Sequence, residues 1–273
     1  STMIPDQQFL SQEQVATTVL TLADDAQAKI LNGKIIPGDR VFYPVKSHIR
    51  ASVPKSEKNN LDGKRFNHGG MLMKKSGLSP SEQSVSSWYS SITSMIEEKG
   101  GQSETSADFD LAIHITGNLP DFSKLTELSR DEWDKLVDQF INAPAKWTRN
   151  SLDNFVHGGS DDPRKFKEKT AGMIGWQGRV VIIGPALPAG KKISGHERAK
   201  VEVFRGALRP FVTTVNQELS DVLKSNIRVF LILPGTVDGK EPSDENIVNT
   251  INYLMSDESQ SSAEVIFCPD ETR

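Results

Sequence analysis

This chain has almost no cysteine. Its 273 residues contain one, Cys268, which rules out a disulfide within the chain and fits a reducing, cytoplasmic setting. Long hydrophobic runs are also missing. None approaches the ~20 apolar residues that a helix needs to cross a bilayer, so no membrane partner is expected. The amino end has no secretion-signal pattern. Basic excess is absent, with 32 Lys and Arg against 36 Asp and Glu and a net charge of −4, and nucleic acid is not an expected partner. Apolar residues make up 36%, below the ~45–50% of ordinary chains (a count that includes Gly), so a core is expected beside long solvated stretches. His48 and His68 have no Cys or carboxylate at ligand spacing, and no metal site is expected. Ser1-Thr2 ahead of Met3 reads as an expression remnant, which points to a piece of a longer protein.

What is present centres on residues 178–235. GRVVIIGP carries four consecutive apolar, β-branched residues, Val180 to Ile183, and ends on Gly184-Pro185. NIRVFLILPG is a second such run, ended by Pro234-Gly235. Both read as strands buried on two faces, and a helix over roughly 197–224 joins them. Strand, helix and like strand make a right-handed βαβ unit of a parallel sheet, and such sheets place ligands beyond their carboxyl ends.

The two ends of the chain resemble each other. Residues 11–37 read as a helix, with Ser11 as N-cap, and a short strand. Residues 243–269 repeat the pattern without a gap: Ser11 falls on Ser243, Val15 on Ile247, Leu22 on Leu254 and Pro37 on Pro269. Two readings stay open. One is chance similarity of amphipathic helices; the other is that the chain begins with the tail of one domain and ends with that of a related one.

Residues 46–80 are polar and aperiodic and read as a linker. A helix begins near Ser79, offers Val85, Trp88, Tyr89, Ile92 and Ile96 as its apolar face, and stops at Gly100-Gly101. DLAIHITG then predicts a strand over 111–115, whose His114 reads as packed and hydrogen-bonded, because no Ser or carboxylate nearby in sequence completes a relay. Ser129 and Glu132 predict a capping box, with Trp133, Leu136, Val137 and Phe140 on the buried face and Pro144 as a kink.

The order of these pieces resembles the second half of the short-chain dehydrogenase/reductase superfamily, over roughly 108–269. The resemblance implies a Rossmann-like α/β fold, a parallel sheet flanked by helices, truncated at its amino-terminal half. It implies three parts: a tail of a preceding domain over 1–45, a polar linker with one helix over 46–107, and the dehydrogenase-like domain over 108–273. Its site residues carry over poorly. No Gly-rich dinucleotide motif lies between residues 40 and 110, and Gly69-Gly70 and Gly77 lack its spacing and a preceding strand. The family's N-N-A-G is His114-Ile115-Thr116-Gly117, its catalytic Asn falls near Phe140, and its catalytic Ser falls at Pro185. Its Tyr-x-x-x-Lys pair falls either on His196 and Lys200 or, by the helix's apolar phase, on Val201 and Arg205.

The resemblance therefore implies a degenerate member, inactive alone, like the non-catalytic parts of tandem enzymes such as bifunctional malonyl-CoA reductases or high-molecular-weight 3-oxoacyl-carrier-protein reductases. Its role would be that of scaffold, dimerising unit or partner of an upstream catalytic domain that reduces acyl-CoA or acyl-carrier-protein substrates with NADPH. In active relatives the helices matching 129–156 and 197–224 form a subunit interface; Phe204, Leu208, Phe211 and Val215 serve either that contact or the core. No cofactor is expected on this reading. The first alternative is an active NAD- or NADP-dependent reductase using His196 and Lys200. The second is a regulatory module that takes acyl-CoA or a nucleotide near Gly117, Gly184, Pro234 and Gly235.

Overall fold

The structure, a computed structural model, describes residues 49–50, 56–70, 80–105, 109–120, 124–157, 177–186, 195–219, 226–235, 243–257, 259 and 264–268. The chain divides into two units, Ser1–Lys46 and Ser47–Arg273, and every described residue lies in the second. The expected helix and strand over 11–37 lie outside the described residues.

The elements run β1 (Ile49–Arg50), β2 (Arg65–Gly70), α1 (Pro80–Glu98), β3 (Gln102–Ser103), β4 (Leu111–Ile115), α2 (Arg130–Val137), α3 (Ala143–His157), β5 (Gln177–Ile183), α4 (Gly195–Gln217), β6 (Asn226–Pro234), α5 (Asp244–Leu254) and β7 (Val265–Cys268). The strands form one sheet in the order β1-β7-β6-β5-β4-β2-β3, and every pairing is parallel. From β2 the chain winds outward to β3, then crosses back to lay β4 on the other side of β2 and winds outward again through β5, β6 and β7. This is a doubly wound, Rossmann-like sheet with its switch point between β2 and β4.

Apolar runs make its centre. All five residues of β4 are buried, as are Val180 to Ile183 in β5 and Val229 to Pro234 in β6. On one face Ile92 and Ile96 of α1 and Ile247 and Ile251 of α5 pack against Ile113, Val181 and Phe230. On the other, Leu208 and Val212 of α4, with Leu152 and Phe155 of α3, pack against Ala112, Val180 and Val229. A strand covered on both faces has no room for alternation, which is why these segments read as unbroken apolar runs.

The expected linker is corrected here. Arg65–Gly70 is a strand in the sheet's interior, in register with β4 from Phe66↔Leu111 to Gly70↔Ile115. The sheet thus includes strands from both sides of the expected boundary at 107/108. Polar composition hid β2: of its RFNHGG, only Phe66 and Gly69 are buried. The polar residues before it make fixed contacts. Asn252 of α5 accepts from the Asn60 amide at 2.7 Å and donates to the Lys58 carbonyl at 2.9 Å. β3 leads to β4 across seven residues, 104–110, and no strand beyond β3 is among the described residues.

Helix signals acted as their chemistry dictates. Ser129 and Glu132 close a reciprocal capping box at the start of α2. Pro144 does not end the helix: the backbone stays helical from α2 through a π-helical turn over Asp138–Asn142 and into α3, and the turn lies just before the proline. A proline inside a helix removes one intrahelical hydrogen bond, and a local π-type turn is one way the backbone absorbs that loss. Of the expected buried face, Leu136 of α2 and Phe140 of the π-helical turn are buried, Val137 is half-buried, and Trp133 is 36% exposed.

Candidate functional site

The crevice lies where β2, β4, β5 and β6 end. After β4, Thr116 is buried and its amide and hydroxyl both donate to the Ile183 carbonyl, at 3.0 and 3.1 Å. Gly117 follows with φ of 81°, a left-handed conformation that glycine adopts without strain. Gln139 donates to the Thr116 carbonyl at 3.1 Å and so ties the helical layer to this turn. Gly184 continues the ladder by donating to Ile232 at 2.9 Å, and a Cβ there would press on Leu233. Gly235 donates to the Cys268 carbonyl at 2.9 Å.

Helix α4 sets one side chain over these ends. Its buried stripe is Val201, Phe204, Arg205, Leu208 and Val212, at the spacing of one helical face. Arg205 is fully buried. Its Nε donates to the Pro185 carbonyl at 2.9 Å and its Nη2 to the Pro234 carbonyl, so one guanidinium clips the ends of β5 and β6 together. Its Nη1 lies 3.3 Å from Glu202 Oε1, whose other oxygen takes Arg209 Nη2 at 3.0 Å. The charge is thus paired and hydrogen-bonded, as a buried charge requires.

The two alignments of the Tyr-Lys pair therefore land differently. Arg205 binds the strand ends, and Val201 is buried one helical turn before it. Lys200 is only partly buried, and His196 lies in the first turn of α4 with its side chain outside the description. Pro185 supplies a carbonyl acceptor and no hydroxyl. A guanidinium stays protonated throughout the physiological range and valine has no proton to give. Among the described residues at the β5 and β6 ends, this donor set does not fit hydride transfer with a nicotinamide cofactor, which needs an acid beside the forming alkoxide.

The switch point holds a second cluster. The expectation that no strand precedes Gly69-Gly70 is corrected, since both close β2. The Trp147 ring of α3 lies directly on Gly69, where a Cβ would overlap it. Trp147 also faces the His114 ring at 5.9 Å. Burial pushes the His114 pKa down to about 4. The expectation for His114 holds for packing and fails at Nδ1, which has no hydrogen-bond partner among the described residues. Trp147 Nε1 and Asn118 Oδ1 are likewise buried without partners among the described residues.

Sequence reasoning passed over Arg205 as a structural element and missed Trp147 as a cover. A charged residue in the apolar phase of a helix was the available signal for the first. Nothing in the sequence pairs residue 147 with residue 69. Among the described residues no group of three His, Cys, Asp or Glu could hold a metal, and no helix is long and apolar enough to cross a membrane.

No protein-family profile and no curated protein matches the chain. Solved structures do. A 3-ketoacyl-(acyl-carrier-protein) reductase from Brucella melitensis, complexed with NADH, is 13% identical with a TM-score of 0.49, over 76% of this chain and 96% of that one. A short chain dehydrogenase from Mycobacterium smegmatis is 12% identical with a TM-score of 0.49, over 81% and 98%. The NADH-dependent reductase A1-R′, complexed with NAD, is 12% identical with a TM-score of 0.47, over 77% and 96%. The chain is similar to short-chain dehydrogenases and reductases, and its Rossmann-like, doubly wound sheet is established by its own strand order.

Proposed function

We propose that this chain is a non-catalytic, dehydrogenase-like unit that serves as scaffold and dimerising partner within a larger NADPH-dependent reductase of acyl-CoA or acyl-carrier-protein substrates. Arg205 carries the reading. A fully buried guanidinium bonded to the Pro185 and Pro234 carbonyls turns the place of an acid-base pair into a structural clip. A second copy of the chain is the expected partner, held by the outer face of α2 and α4. Trp133 and Val203 are exposed there, at 36% and 39%, with the Trp133 ring 6.0 Å from Phe204. Phe204 and Leu208 themselves face inward and Phe211 and Val215 pack at the core's edge, so they support the core rather than the contact.

Titration calorimetry with NADPH and NADH tests the catalytic half of this reading. No saturable binding is expected. Saturable binding that disappears in His196→Ala would overturn it in favour of an active reductase using His196 and Lys200. A melting shift with acyl-CoA but not with NADPH would instead favour the regulatory alternative at Gly117, Gly184, Pro234 and Gly235, since a ligand of the folded state raises its midpoint by mass action. Sedimentation at tens of micromolar tests the partner: a dimer that Val203→Asp dissociates supports the reading, and a strict monomer counts against it.

A further inference from the structure

The polar end of the sheet holds a hydrogen-bonded chain that the crevice does not use. His68 of β2 points to the α1 face, two residues after the buried Phe66. Its Nδ1 meets the Tyr89 hydroxyl of α1, and its Nε2 lies 3.1 Å from Ser103 Oγ of β3. The Phe66 ring, 5.6 Å away, and the Tyr89 ring, edge-on at 5.2 Å, hold the imidazole in place. Ser103 is exposed and reachable from solvent. The order is hydroxyl nucleophile, imidazole base and a third group fixing the base's other nitrogen, which is the geometric signature of an activated nucleophile.

We infer that Ser103, His68 and Tyr89 form an acyl-accepting site, in which Ser103 Oγ takes the acyl group of a small activated donor such as an aryl ester or a thioester. Ser103 Oγ attacks the carbonyl carbon while its proton passes to His68 Nε2. The bond from that carbon to the leaving oxygen or sulfur then breaks, and the leaving group takes the proton from Nε2. The products are an O-acylserine and a free alcohol or thiol, with no change of oxidation state. The Tyr89 oxygen accepts from Nδ1 while the ring carries both protons, which makes Tyr89 a positioning residue. Partial burial holds the His68 pKa below the usual imidazole value, with Glu97 opposing it, so the ring is a free base at neutral pH. The same burial raises the Tyr89 pKa and keeps the phenol protonated. The site stands apart from the proposed scaffold role and uses none of its residues.

The test is reaction of the full chain with p-nitrophenyl acetate, followed by intact mass and peptide mapping. One acetyl group on Ser103 is expected, and it is absent in Ser103→Ala. His68→Gln is expected to slow the adduct by about a hundredfold, the low end of what a positioned base contributes. Tyr89→Phe is expected to move the pH of half-maximal acetylation without changing the melting temperature, which a packing role alone would not do. Circular dichroism of each variant separates lost chemistry from lost fold. Acetylation spread over lysines, an adduct on Ser103 indifferent to His68→Gln, or no adduct at all overturns the inference.

Discussion

The two wings of the sheet are built on different terms. On one side of the switch point, β4, β5 and β6 are covered on both faces and bury nearly every side chain. On the other, β2 buries two residues of six and both residues of β3 are exposed. The first wing rests on apolar area and on polar groups satisfied inside the protein. Arg205 clips its carboxyl ends, and Asn216 completes its ladder by both donating to and accepting from Val229, at 2.7 and 2.9 Å. At the amino ends, buried Arg179 donates to the Leu254 and Asn226 carbonyls, at 3.1 and 2.8 Å. The second wing is held by the face of α1, by the Trp147 ring of α3 over Gly69 and by hydrogen bonds at its surface. Groups that cannot turn to water are costly to remove and fix the architecture. Groups that can turn to water are cheap to change and free for chemistry.

The largest expected effect lies in the first wing. Arg205→Ala removes a buried guanidinium and leaves two buried carbonyls and Glu202 without it, and is expected to cost about 3–5 kcal/mol in chemical denaturation. Arg205→Lys keeps the charge but reaches both strand ends less well, and is expected to recover only part of that loss. If Arg205→Ala unfolds with the wild-type midpoint, the clip is not structural and the contrast between the wings fails at its strongest point.

Next comes His114, at the border of the two wings. Its pKa is pushed down to about 4 by burial against an ordinary 6.5, so the unfolded chain binds its proton first as pH falls. Stability from keeping it neutral is full above pH 6.5, drains away between 6.5 and about 4, and is gone below. The shift corresponds to about 3 kcal/mol. His114→Leu is expected to flatten the urea midpoint against pH across that window. An unchanged slope in the variant would place the acid sensitivity elsewhere.

How much of this was legible follows the same division. Val180 to Ile183, Val229 to Leu233 and Leu111 to Ile115 announce themselves because two covered faces demand unbroken apolar runs. The Ser129 and Glu132 box was readable because capping is local in sequence. β2 was not, since a strand with polar and glycine residues on its open positions has the composition of a linker. The crevice was half legible. The apolar phase of α4 put Val201 and Arg205 on its buried face, but the carbonyls that Arg205 binds are 20 and 29 residues away in sequence. Trp133 misled because an amphipathic stripe does not say where the covering layer stops.

A middle-sized effect probes the seam itself. Gly69→Ala drives a methyl into the Trp147 ring and is expected to cost about 1–3 kcal/mol by overpacking. Trp147→Leu, harmful alone, is expected to recover part of that cost when combined with it. A coupling of zero in the double-mutant cycle would mean that the indole does not cover β2 in solution.

The smallest effect is expected at the far edge of the second wing. Ser103 is exposed, and its hydroxyl lies 3.1 Å from Nε2 of His68, itself half-buried and able to turn to water. Ser103→Ala is therefore expected to shift stability by no more than about 0.5 kcal/mol, the scale of ordinary surface substitutions. The value matters because it separates two meanings of the His68 chain. A hydrogen-bonded chain kept for stability would lose more when its outer hydroxyl is removed. One that costs nothing to break, yet governs acetylation, would show that the lightly held wing is where this sheet keeps its reactive groups.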